Sequence, residues 1–462
     1  MPSQEHEPAA SLTPGDLESI LSDLRETHAA IDQAFPGDPE SRQPVHTVYG
    51  GAHLFRADTP QKLGRLAIRA LDTYAADPRT LAAALGMPDQ TEEDRRHSET
   101  VRSRIAAKLR TEPVEDFRID FEDGYGHRPA AEEDGHSASA AVEVAAAARQ
   151  GTLPPFIGIR IKPLSKDLHA RGLRTLDLFV TALAAQAGSL FPSRLLVTLP
   201  KVVAPGQVTA AARSCALLER RHGLQAGTLR MELMIETPQS IVSADGTSPL
   251  GGFVTAGDGR VTGVHFGAYD YTALCGITAA WQDVRHPACD FARRMMQASL
   301  AQTGVHLADS VTTLLPVPIH RAAGRQALSR EQQRENEATV HRAWKLHFDN
   351  VRRSLIDGFY QSWDLHPAQL PARYAAVYDF FLSARRSATA RLRNFVEQAT
   401  HATLIGDEFD DAATGQGLLN FFARGLACGA LTVDEARETG LTEAELRARS
   451  FLTIVENRRV LR

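Results

Sequence analysis

Cysteine is scarce: four thiols, Cys215, Cys275, Cys289 and Cys428, lie scattered through 462 residues with no CxxC pair and no zinc-ligand spacing. That pattern argues against a disulfide framework and fits reduced thiols in a cytosol. No apolar run is long enough to span a bilayer. The opening MPSQEHEPAASLTPGD lacks the basic region and apolar core of a signal peptide. The expectation is a soluble, cytoplasmic protein. A formal net charge of −5 is small for this length, so neither nucleic acid nor a membrane is expected as a partner. No GxGxxG follows any strand-like run, and no short-period repeat stands out. His265, His286 and His366 are available as general bases. Without HExxH or another paired spacing they read as core or capping residues instead.

What the chain does have is a rhythm. Residues 1–15 read as a disordered lead, and Thr13-Pro14-Gly15-Asp16 opens a helix over LESILSDLRETHAAIDQAF. Eight strand-like runs then alternate with helical stretches: TVYGGAHLF, FRIDF, FIGIRIKP, RLLVTLPKV, MELMIETP, VTGVHFG, VHLADSV and GFYQSWDLHP. Residues 76–112 are charged and helical, and read as a peripheral insertion. Buried, non-alternating strands between helices argue for a parallel sheet covered on both faces. Eight such units suit an α/β fold of the (β/α)₈ TIM-barrel type, with an open doubly wound sheet as the alternative. The expected division is an N-terminal extension over 1–45, a catalytic barrel over 46–370, and a wholly helical, lid-like region over 371–462.

A barrel gathers the polar residues at the C-terminal ends of its strands on one face, where barrel enzymes do their chemistry. Those positions hold Glu122 and Asp123, Arg160 and Lys162, Lys201, Glu236, Asp270, and Asp364 with His366. The run MELMIETPQSI is a buried strand that stops at a carboxylate, Glu236, and VTGVHFGAYD repeats the device with Asp270. Neighbouring strands lie about 4.8 Å apart. Two carboxylates so placed repel unless a cation sits between them or one is protonated. All-oxygen ligation favours Mg²⁺ or Mn²⁺ over zinc. Arg160 offers a planar fork for a substrate carboxylate, or pairs with a neighbouring acid such as Asp123. Lys162 and Lys201 raise a Schiff-base aldolase route, which the carboxylate pair makes less economical; Lys201 reads as a structural ion-pair partner.

In order along the chain, LFRADTPQKLGRLA, IDFEDGYG, IRIKPLS, TLPKV, ELMIETPQSI, VHFGAYDYTALCG and GFYQSWDLHPAQ resemble the HpcH/HpaI aldolase and citrate lyase β-subunit superfamily, which includes malyl-CoA lyases. The resemblance implies Mg²⁺ held by Glu236 and Asp270. It also implies a substrate carboxylate on Arg160, and metal-bound water oriented by Glu122 and Asp123. Some members complete the site with a lid Asp, often from a neighbouring subunit. In IGDEFDDAATGQGLL that acid matches Asp410, with Asp411 as rival, and a homo-oligomer is then expected. The implied activity is a carbon–carbon lyase or aldolase working through an enolate on a small 2-oxo acid or 3-hydroxyacyl substrate. The alternatives are a malate-synthase-like condensation of an acyl-CoA with a 2-oxo acid, and a non-catalytic barrel subunit. Lys162 stands where the family commonly has Asn, and the loop between Glu236 and Asp270 is long and Gly-rich. Both leave use of a CoA thioester open.

Overall fold

Eight parallel strands pair in chain order and close on themselves: β1 (His46–Gly51), β2 (Asp116–Asp120), β3 (Phe156–Arg160), β4 (Leu195–Leu199), β5 (Leu229–Ile235), β6 (Val261–Phe266), β7 (His306–Val311) and β8 (Gln361–Asp364). The pairing of β8 with β1 makes this a TIM barrel rather than an open sheet. The computed structural model describes residues 11–37, 41–322, 327–398, 403–405, 408–410, 412–448 and 451–460, so residues 1–10 of the lead lie outside the described part. Among the described residues no helix is long and apolar enough to cross a membrane.

Both faces of each strand are buried, but they differ in chemistry. The outward residues Phe117, Ile119, Ile157, Ile159, Val197, Leu233 and Ile235 join one apolar core beneath the helices. The inward residues are largely polar. Arg118 is fully buried, donating to Asp116 Oδ1 at 2.5 Å, Glu232 Oε2 at 2.9 Å and Thr198 Oγ1 at 2.9 Å. His265 stands 3.5 Å from Glu232 and 3.2 Å from the Tyr49 hydroxyl. Tyr49, Met234, Val311 and Trp363 form the small apolar layer above this network. Gly158 gives the barrel room to close, because a Cβ there would collide with the Leu196 carbonyl of β4. Gly158→Ala is therefore expected to cost about 1–3 kcal/mol. A thermal midpoint unchanged within experimental error would refute that tight strand contact.

Three expectations change. Asp364 does not join the mouth. Trp363 points inward, so strand alternation turns Asp364 outward, where it meets His46 Nδ1 at 2.7 Å, His347 Nε2 at 2.9 Å and Arg373 Nη2 at 2.9 Å. It ties β8 and β1 to the outer helices Arg330–Ile356 and Leu370–Gln398. The 76–112 stretch is not peripheral. Its helices Pro78–Leu85 and Glu92–Thr111 bury Leu81, Leu85, Val101, Ile105 and Leu109 in the common core. A narrow stripe at helical spacing suffices for this despite the charges around it. The region beyond residue 371 is not wholly helical either, since Thr403–Ile405 and Glu408–Asp410 pair antiparallel. Each of these strands is three residues long, too short for apolar periodicity to register. By contrast, the helix Pro14–Ala34 opens at Thr13 as expected, with reciprocal Thr13–Asp16 capping, and buries none of its residues.

Candidate active site

The C-terminal mouth is built strand by strand. β2 ends in Asp120, whose carboxylate accepts from the Glu122 and Gly124 amides at 2.9 and 2.7 Å, folding the following loop back over the strand end. A side chain at Gly124 would put Cβ 2.6 Å from Asp120 Oδ2 and so push that carboxylate from its place. Asp120 is in register with Arg160 of β3. The two form a bidentate, charge-assisted pair in which Arg160 donates from Nε to Oδ1 at 2.8 Å and from Nη2 to Oδ2 at 2.6 Å. Arg160 Nη1 reaches Glu122 Oε2 at 3.0 Å and Asp123 Oδ2 at 3.9 Å, and its guanidinium lies 4.8 Å from the centre of the Tyr49 ring. The main partner of Arg160 is thus Asp120, which closes the second strand in the same acid cluster as Glu122 and Asp123, rather than the Asp123 expected from the sequence.

Glu236 follows β5 directly and is 1% exposed. Its Oε1 accepts from the Lys201 amide at 2.7 Å. Gly267, at the end of β6, makes space for it, since a Cβ there would lie 2.5 Å from Glu236 Oε2. Burial, then the Asp270 and Glu122 carboxylates, push the Glu236 carboxyl up to about 8, against the pull of Lys201 and Arg160. Asp270 lies in the first turn of the helix Ala268–Leu274 and is 39% exposed, so it faces the opening.

Lys201 sits among these acids. Its ammonium donates to Glu122 and lies 3.7 Å from both Asp123 Oδ2 and Asp270 Oδ2. Burial works against its charge, but Glu236 and Glu122 outweigh this and hold its pKa above the ordinary lysine value. The ion-pair role expected of Lys201 holds, and its partners are the candidate site itself. Lys162 goes elsewhere. Its ammonium donates to the Phe121 carbonyl at 2.9 Å and lies 3.5 Å from buried Glu133. His366 and His286 cap helix starts, each accepting a backbone amide on Nδ1. The Asp410 backbone belongs to the short antiparallel pair, while its side chain, and Asp411 entirely, lie outside the described residues.

Five carboxylates, Asp120, Glu122, Asp123, Glu236 and Asp270, therefore share the mouth with two cations, Arg160 and Lys201. Among the described residues no three His, Cys, Asp or Glu side chains group closely enough to enclose a metal unaided. The chemistry of the set nonetheless fits a hard divalent cation. Glu236 and Asp270 offer oxygen donors, the acid excess calls for positive charge, and Mg²⁺ keeps waters or substrate oxygens at its other positions.

Comparison with solved structures finds the same fold in a citrate lyase from Burkholderia xenovorans LB400, with a TM-score of 0.52 and 17% identity over 87% of this chain and 97% of that one. A malate synthase from Haloferax volcanii aligns with a TM-score of 0.44 and 13% identity, over 89% of this chain and 98% of that one. No curated protein matches the chain. A family model described as "Domain of unknown function (DUF6986)" matches residues 24–454, nearly the full length, and the chain belongs to that family.

Proposed function

We propose that this protein is a Mg²⁺-dependent carbon–carbon lyase or aldolase, with Mn²⁺ able to substitute, acting through an enolate on a 2-oxo acid or 3-hydroxyacyl substrate. The observation that carries the reading is the buried Glu236 beside Asp270 at the mouth, in a cluster short of positive charge. Glu236 and Asp270 would hold the cation, which supplies Lewis-acid stabilisation of the negative charge that develops as the C–C bond breaks. Arg160 is fixed by Asp120 and Tyr49. Its Nη1, which contacts Glu122 and Asp123 rather than Asp120, is the nitrogen a substrate carboxylate would share. A guanidinium held this rigidly does not reorganise as charge moves, which is what transition-state stabilisation requires. Glu122 and Asp123 would orient water at the site, and Lys162 would act on the substrate only through the loop it anchors. Asp410 would supply the closing acid, from a neighbouring copy in a homo-oligomer. The same reading takes the protein as cytoplasmic and its substrates as small molecules.

A malate-synthase-like condensation would use the same groups in the reverse sense, and donor choice separates the two. In D₂O with Mg²⁺, exchange of the pyruvate methyl protons alone supports a pyruvate-enolate aldolase. Exchange into acetyl-CoA alone supports a malyl-CoA-lyase or malate-synthase-like enzyme. Exchange into neither, with Mg²⁺ saturating, counts against both and favours a barrel without this chemistry.

A further inference from the structure

Lys201 is built into the mouth in a way that a surface ion pair does not require. It is one of three non-glycine residues among those described with a left-handed backbone, at φ 51°. Such a conformation is uncommon for a side chain of this size and persists where surrounding structure enforces it. What surrounds it is the carboxylate cluster. The Lys201 amide holds Glu236 Oε1 at 2.7 Å, while the ammonium reaches acids on two other strand ends, Glu122 and Asp123 after β2 and Asp270 after β6. One residue thus fixes the orientation of one acid through its backbone and draws three others around the single charge of its side chain. A compact ammonium with three donors resembles a hard metal cation in how it gathers oxygens.

We propose that Lys201 is a tethered counter-cation, whose ammonium holds the carboxylates together and must be displaced for a divalent cation to enter. The proposal rests on the reading of Glu236 and Asp270 as the cation's ligands. It makes occupancy a competition between the protein's own charge and the metal, so the cluster stays organised when empty and the metal remains exchangeable. Lys201 is then a positioning residue whose removal should strengthen metal binding, the opposite of what loss of a ligand does.

Isothermal titration of Mg²⁺ into the metal-free full chain tests this, using wild type, Lys201→Met, Lys201→Gly and Glu236→Gln. Both Lys201 variants are expected to bind Mg²⁺ at least about tenfold more tightly, since the ammonium that stands 3.7 Å from Asp270 Oδ2, a charge of the same sign as the metal, is removed. Binding by these variants with none by the wild type is the same result at its limit. Glycine tolerates the left-handed backbone, so K201G carries the test if K201M misfolds. The metal-free Met variant should also melt lower than wild type and recover when Mg²⁺ is added. Affinity equal to or weaker than wild type in both variants overturns the tethered-cation assignment while leaving the metal reading in place. If Glu236→Gln binds as wild type does, or if no form binds at millimolar Mg²⁺, the metal reading fails and the assignment of Lys201 falls with it.

Discussion

Glu236→Gln is expected to lower Mg²⁺-dependent deuterium exchange by about 10²–10³-fold, the scale on which a key electrostatic contact is lost, while leaving the fold intact. The amide is isosteric, and its oxygen can still accept from the Lys201 N–H that now holds Glu236 at 2.7 Å. What disappears is the charge. In the metal-free protein that charge is a liability, because burial and two neighbouring acids press the carboxyl toward its neutral form. The metal-free variant should therefore melt no lower than wild type, and only the loaded protein should lose stability by comparison. Circular dichroism melts with and without Mg²⁺, run beside the exchange assay, check both halves. Exchange within tenfold of wild type would remove Glu236 from the chemistry.

The second large effect lies deeper. Arg118→Met should destabilise the protein by about 3–5 kcal/mol, because it strands two buried carboxylates without their partner. Asp116 and Glu232 lie within 2.5 and 2.6 Å of the guanidinium, and both it and Asp116 are sealed from solvent. Methionine fills much of the volume, so the loss reports charge rather than a cavity. Adding Asp116→Asn and Glu232→Gln to the same chain should recover most of the stability, since the triple variant holds no unpaired charge. Thermal or urea midpoints measure the series. A single variant within about 1 kcal/mol of wild type, the range of an ordinary surface pair, would mean that the interior is hydrated and the network incidental.

Much of the barrel was legible because strands such as β4, β5 and β6 are apolar runs that end in a polar stop, and helical stretches separate them all. The rhythm gave all eight strands in order. Direction was harder to read. A residue at a strand end faces the mouth or the helices according to its parity along the strand, which is why Asp364 turns outward while Asp120 and Arg160 face in. Lys162, two residues beyond Arg160, folds beneath a loop that no local pattern predicts. The mouth does bring Glu122, Asp123, Arg160, Glu236 and Asp270 together. The place of Lys201 depends on a left-handed backbone with no sequence signal beyond its position after Pro200. The charged interior did leave a trace. Asp116, Arg118 and Asp120 alternate with Phe117 and Ile119, a period-two pattern that resembles a solvent-facing strand. In a closed barrel the same alternation separates an ionic interior from an apolar jacket.

That interior also shapes which descendants of this sequence are reachable. In a barrel filled with branched aliphatics, one residue can drift to another of similar volume and natural selection need scarcely notice. Here one guanidinium, Arg118, serves both Asp116 and Glu232, so a lineage that loses Arg118 first leaves two buried carboxylates without their cation at the centre of the fold. Change at these positions must arrive jointly or pass through unfit intermediates. The helix-facing positions, which carry only packing, remain free to diverge one step at a time.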